Sequence, residues 1–214
     1  MPALTELPEA GLDLDPDELD DLDLVLRGAL DSPILTLDRD GSAPVDLAIG
    51  SELTLRDAED APVATLTVTA LIALDDHRFR IIGEATELAS GDQRRFGKLP
   101  TTPVEVAGKL AGVSGPVLAV PVIGPPNASD LETMRAAAAG LGIEPAKLLL
   151  LVQTREKALG SYPAPRLVQQ TVRSVKKAGL APIVVPLPLP IAADAGTRAY
   201  SWAQVAARYG ASHL

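Results

Sequence analysis

Cysteine is missing from all 214 residues, which excludes disulfides, thiolate nucleophiles and cysteine-ligated zinc. Only two histidines occur, His77 and His213, so no H-E-x-x-H helix can form and no metal site is expected. Aromatic residues make up 3% of a chain that is 47% hydrophobic, which predicts a core of Leu, Val, Ala and Ile rather than rings. No stretch of 18 apolar residues is available to span a bilayer, and acids stand where a secretory signal needs bases. A cytoplasmic location is therefore expected. Bases are outnumbered 19 to 28, giving a net charge of −9 and a pI near 4.7. A field of that sign repels phosphate backbones and anionic lipid, so neither nucleic acid nor a membrane is the expected partner.

What charge there is lies unevenly. Residues 1–60 carry 17 acids and three bases, Arg27, Arg39 and Arg56, whereas residues 61–214 carry 11 acids and 16 bases. Part of the acidic excess reads as a helix start. Asp15 caps free N–H groups, Pro16 presets φ at the first helical position, and Glu18 completes a capping box. Leu19, Leu22, Val25 and Leu26 then share one face, and Gly28 ends the helix.

From Ile34 to Val106 the texture is short β-prone runs divided by turns. Ile34–Leu37 and Val45–Ile49 are expected to pair around Asp38–Gly41, and Leu53–Arg56 and Val63–Ala70 around Asp57–Pro62. Phe79–Ile82 and Val104–Ala107 supply further strands, so residues 1–115 read as a small β-rich barrel or sheet. Beyond Gly115-Pro116, apolar strands at Val117–Ile123, Lys147–Val152 and Ile183–Leu187 alternate with helices at Leu131–Leu141, Pro165–Ala178 and Arg198–Arg208. That βαβαβα order predicts a parallel sheet over residues 116–214, in which a fourth strand is due at Ala211–Leu214.

No G-x-x-x-x-G-K-[ST] exists, since Gly97-Lys98 and Gly108-Lys109 are each followed by Leu. Ligands sit beyond the carboxyl ends of parallel strands. After the first strand the chain reads Ile123-Gly124-Pro125-Pro126-Asn127-Ala128-Ser129-Asp130, which makes Gly124, Asn127, Ser129 and Asp130 candidate ligand contacts. Asn127, Ser129 and Asp130 are equally ordinary helix caps, and Asp130 repels a phosphate. Gln153-Thr154-Arg155 follows the second strand, and Arg155, Lys157 and Arg198 are candidate anion contacts. Arg94, Arg95 and Lys98, with Phe96 among them, form a basic loop. No nucleophile with an adjacent base can be assembled, so no catalytic residue is expected.

Several runs together resemble the ATP sulfurylase (sulfate adenylyltransferase) family. They are Leu14–Leu24 with Arg27–Pro33, Gly50–Val68 around Leu53-Thr54-Leu55-Arg56-Asp57, Val104–Val113, Leu187-Pro188-Leu189 and Ala199–Leu214. The resemblance implies a PUA-like β-rich domain followed by a partial nucleotidyltransferase-like, Rossmann-like α/β domain. The family's "Q-T-R-N-P-x-H-x-x-H" stretch falls on Pro121–Asp130, where only Pro125 matches and the two histidine positions hold Asn127 and Asp130. The chain thus resembles a truncated, degenerate member lacking H-x-x-H. It is expected to be catalytically inactive by itself, with a binding, scaffolding or regulatory role in sulfate activation. Two alternatives stand beside this: a piece of an active adenylyltransferase completed by a missing region or partner chain, and a PUA-type RNA-binding module. The resemblance further implies ATP or adenylylsulfate as ligand. As partner it implies a second copy or a sulfate-activation enzyme such as an adenylylsulfate kinase.

Overall fold

The computed structural model describes residues 11–30, 32–41, 46–75, 77–88, 96, 98–112, 115–144, 147–159, 162–189 and 195–214. The chain divides into two compact units, Met1–Leu26 with Ser32–Gln93, and Arg27–Asp31 with Arg94–Leu214.

The first unit is built on a five-stranded sheet in the order β1-β3-β4-β5-β2, made of β1 (Gly11–Asp13), β2 (Ile34–Asp40), β3 (Glu52–Arg56), β4 (Pro62–Asp75) and β5 (Arg78–Glu87). β1 lies parallel to β3 and every other pairing is antiparallel, with bulges in β4 at Val68/Ala70 and Ala73/Asp75. Between β1 and β2 runs α1 (Pro16–Leu26), and its capping box is present: Glu18 N–H donates to Asp15 at 2.8 Å and Asp15 N–H to Glu18 at 3.0 Å. Leu22, Leu24 and Val25 are the residues it buries, so the apolar face also takes in Leu24. The expected β3–β4 hairpin forms. The one expected at Asp38–Gly41 does not. β2 runs on through Asp38, Arg39 and Asp40 and pairs with β5, Leu37 opposite Ile81, while Asp46–Ile49 is not strand. Burying Leu35 and Leu37 against a distant strand outweighs a local turn.

The second unit contains α2 (Pro103–Leu110), β6 (Leu118–Val122), α3 (Ala128–Gly140), β7 (Leu148–Gln153), α4 (Glu156–Leu159), α5 (Ala164–Lys177), β8 (Ile183–Leu187) and α6 (Ala195–Arg208). Where a strand was expected over Val104–Ala107 there is α2. Thr102 and Glu105 close a capping box around Pro103, and that signature overrides the β-branched pair Val104 and Val106. The sheet is fully parallel in the order β6-β7-β8. All six residues of β7 are buried, which is why its four consecutive leucines do not alternate with polar residues. Gly142 and Gly179 follow α3 and α5 at φ 65° and 69°, left-handed positions at helix ends. At the end of the chain Ser212 and His213 lie along the free side of β6. His213 bridges Leu118 in parallel sense, and Ala119 N–H donates to its carbonyl at 2.8 Å.

The fold class implied by the family resemblance is corrected here. The first unit's sheet is open, with β1 and β2 as its edges rather than bonded to one another, so it does not close into a barrel. Nothing in this mixed half-barrel identifies a PUA domain. The chain is an α/β protein with one mixed and one parallel sheet, and no nucleotidyltransferase assignment follows from three parallel strands.

Candidate functional site

Three parallel strands ending at the same edge place the turns after Val122, Gln153 and Leu187 side by side. Ser212-His213 bridges the side of β6 away from β7, and open α/β sheets take ligands beyond the carboxyl ends of their strands.

At the end of β7 the chain turns polar while staying buried. Gln153, Thr154 and Arg155 are 1%, 4% and 4% exposed, directly after a run of leucines and Val152. The Gln153 amide explains its own burial. Its Oε1 accepts from the N–H of Arg155 at 2.8 Å and of Leu189 at 2.9 Å, and its Nε2 donates to the Leu189 carbonyl at 3.1 Å. Thr154 N–H donates to Leu187 O at 3.1 Å. One side chain therefore ties the turn after β7 to the turn after β8, where irregular backbone would otherwise leave buried donors unmatched. From the other side, Arg27 Nη1 donates to the Pro186 carbonyl at 3.0 Å. Arg155 is thus held at a strand terminus by a neighbour whose geometry is fixed.

The turn after β6 is arranged differently. Asn127 Oδ1 accepts from the N–H of Asp130 at 3.1 Å, and Asp130 Oδ2 accepts from the N–H of Asn127 at 2.8 Å, a reciprocal capping box that opens α3. The Asp130 carboxylate occupies the place an anion would take at that helix end. Ser129 uses its carbonyl to accept from the Thr133 hydroxyl at 3.0 Å, and a Cβ added at Gly124 would meet nothing within 4 Å. Beside this turn lies a cleft of about 440 Å³ lined by Pro121, Ile123, Pro126, Asp130, Thr133 and Met134.

Of the seven expected contacts, Gly124, Asn127, Ser129 and Asp130 follow β6 and Arg155 ends β7, so the parallel sheet gathers these five on one edge. Lys157 falls in α4 and Arg198 in α6, and their side chains lie outside the described residues, as do Arg94 and Arg95. Sequence reasoning missed the part played by Gln153. Its signal was a polar triplet placed immediately after an unbroken apolar strand. Among the described residues no three His, Asp or Glu side chains group to hold a metal, and no helix is long and apolar enough to cross a membrane.

The arrangement is that of an α/β protein with a polar, backbone-stapled carboxyl edge. No family model matches the chain, and no curated protein matches it. Among solved structures it is similar to the hexameric APS kinase from Thiobacillus denitrificans, at 24% identity and a TM-score of 0.75, over 98% of this chain and 47% of that one. The chain thus spans about half the length of that structure, and the likeness is one of fold. This corrects the family expectation. The neighbour is named a kinase of adenylylsulfate, not an ATP sulfurylase, and neither family nor curated matches support an adenylyltransferase. The physical reason is that short apolar and Gly-containing runs are set by capping, turns and burial, which many α/β proteins share.

Proposed function

We propose that the chain binds an adenine nucleotide of the adenylylsulfate or ATP type at the carboxyl edge of its parallel sheet, and that it serves the kinase branch of sulfate activation in the cytoplasm as a self-associating protein. The observation that carries this reading is Arg155, a guanidinium 4% exposed at the end of the central strand and flanked by the Gln153 staple. A strand's carboxyl end is where phosphate or sulfate oxygens arrive in such sheets, and a guanidinium is the side chain whose planar fork matches them. The fold likeness to a hexameric APS kinase supports both the ligand class and the self-association. These 214 residues contain no G-x-x-x-x-G-K-[ST] loop, so their part is recognition of the nucleotide rather than phosphoryl transfer.

Titration calorimetry with adenylylsulfate and with ATP tests the proposal. Binding of at least one is expected, weakened about tenfold or more by Arg155→Ala and less by Arg155→Lys, because a charge-assisted hydrogen bond contributes about 1.5–3 kcal/mol. Melting curves of both variants separate lost affinity from lost fold. Absence of heat from both nucleotides overturns the proposal.

A further inference from the structure

The outer face of α5 has a chemistry that neither the core nor the carboxyl edge uses. Its inner face supplies Leu167, Val168, Thr171 and Val175 to the interior. The 14 residues of the helix include Arg166, Arg173, Lys176 and Lys177 and no acid. All four cations are exposed, and among the described residues no carboxylate pairs with Arg173, Lys176 or Lys177. Lys176 and Lys177 are matched to the negative end of the helix dipole, but Arg173 stands a turn further in. One of these cations, Arg173, lines a groove of about 460 Å³ together with Phe96, Leu99, Pro165, Val168, Gln169 and Val172. A mainly apolar groove with polar and charged groups beside it is the anatomy of a protein interface.

We infer that this face of α5 is an interface with a second copy of the chain, whose acid-rich first unit seats on it. The inference rests on the self-association proposed above and names its surface. Charge complementarity within one sequence selects the occupant. The first unit holds 21 acids against four bases, and its Glu52 and Glu59 are exposed. The α5 face is wholly basic in a chain whose net charge is −9, so a second copy carries the charge this helix lacks. A contact between two different patches of identical chains is heterologous, and repeated copies close a ring when the rotation permits.

Sedimentation velocity of the full chain at low and high salt, with the variant Arg173→Glu/Lys176→Glu/Lys177→Glu, tests the surface. The native chain is expected to assemble at low salt and to dissociate as salt rises. The variant, melting at the native temperature, is expected to associate at least about tenfold more weakly at low salt. A native chain that stays monomeric at every concentration and salt overturns the self-association reading. A native chain that assembles while the triple variant assembles equally well leaves that reading standing and overturns this interface.

Discussion

In the first unit β2 buries alternate residues, Leu35 and Leu37 inward with Thr36 and Asp38 outward, while in the second unit β7 buries every residue from Leu148 to Gln153. The two patterns place polar chemistry in opposite places. A sheet with one open face carries its charges across that face: Arg80 grips Asp38 with two nitrogens at 2.6 and 2.9 Å, Arg78 meets Asp75 at 2.7 Å, and Arg39 pairs with Glu18. A sheet covered on both faces has no room for charge along its strands, so polar side chains collect where the strands end, at Gln153, Thr154 and Arg155. The first unit's ion pairs lie at or near the surface and contribute little each, whereas on the covered sheet of the second unit the buried Gln153 bonds to backbone where the strands end.

The largest way to break this contrast is to cut into the covered sheet. Leu150→Ala removes a side chain 1% exposed between Val122, Leu131, Val168 and Val184 in one packed cluster, and is expected to cost about 2–5 kcal/mol in urea unfolding. A loss below about 1 kcal/mol would mean that β7 is not sealed on both faces. Close packing in the open sheet is tested by Gly83→Ala. The new Cβ would lie 2.6 Å from the Thr67 carbonyl and 2.8 Å from Leu66 Cγ, contacts too short to keep, so a loss of about 1–3 kcal/mol is expected by the same assay. Unchanged stability would show that β4 and β5 can separate at that register.

The smallest effect is the pH dependence of the surface pairs. The Arg80 guanidinium that donates to Asp38 holds its carboxyl below the ordinary 3.8, and the backbone N–H of His77, followed by Arg78, does the same for Asp75. A depressed folded-state pKa contributes stability that is present above the unfolded value, about 3.9, and is lost as pH falls through the folded one. Asp38→Asn is therefore expected to flatten the acid limb of a stability–pH curve below about pH 4, because it lowers stability slightly at neutral pH and leaves the fully acidified end unchanged. An unchanged acid limb would show that solvent screens the pair completely.

Local signals carried much of the second unit. Apolar runs separated by helix-length spacing with glycines at their ends placed β6, β7 and β8 and the helices between them. They failed where the deciding partner was remote. Ile34–Asp40 runs into a fair turn sequence at Asp38–Gly41, yet its register is chosen by Ile81 and Gly83 more than 40 residues away. Val104 and Val106 favour a strand by propensity, yet Thr102, Pro103 and Glu105 cap a helix there. At the candidate site, Asn127 and Asp130 were legible both as caps and as ligand contacts, and hydrogen bonds assign their side chains to the cap. The family resemblance failed for a related reason, because runs shaped by capping and burial carry fold-level information without naming a chemistry.

By itself the sequence determined that these residues hold no thiol and no G-x-x-x-x-G-K-[ST] run, the capped starts of α1 and α3, the concentration of acid in the first 60 residues, and the alternation of strands and helices after Gly115. These depend on residue identity and on neighbours within a few positions, which a chain specifies before it folds. Only the tertiary structure decided that β2 joins β5, that Ser212 and His213 flank β6, and that Gln153 ties two turns together beside Arg155. Each of those brings together groups far apart in sequence, and burial of apolar surface across the sheets, not any local preference, supplies the free energy that holds them there.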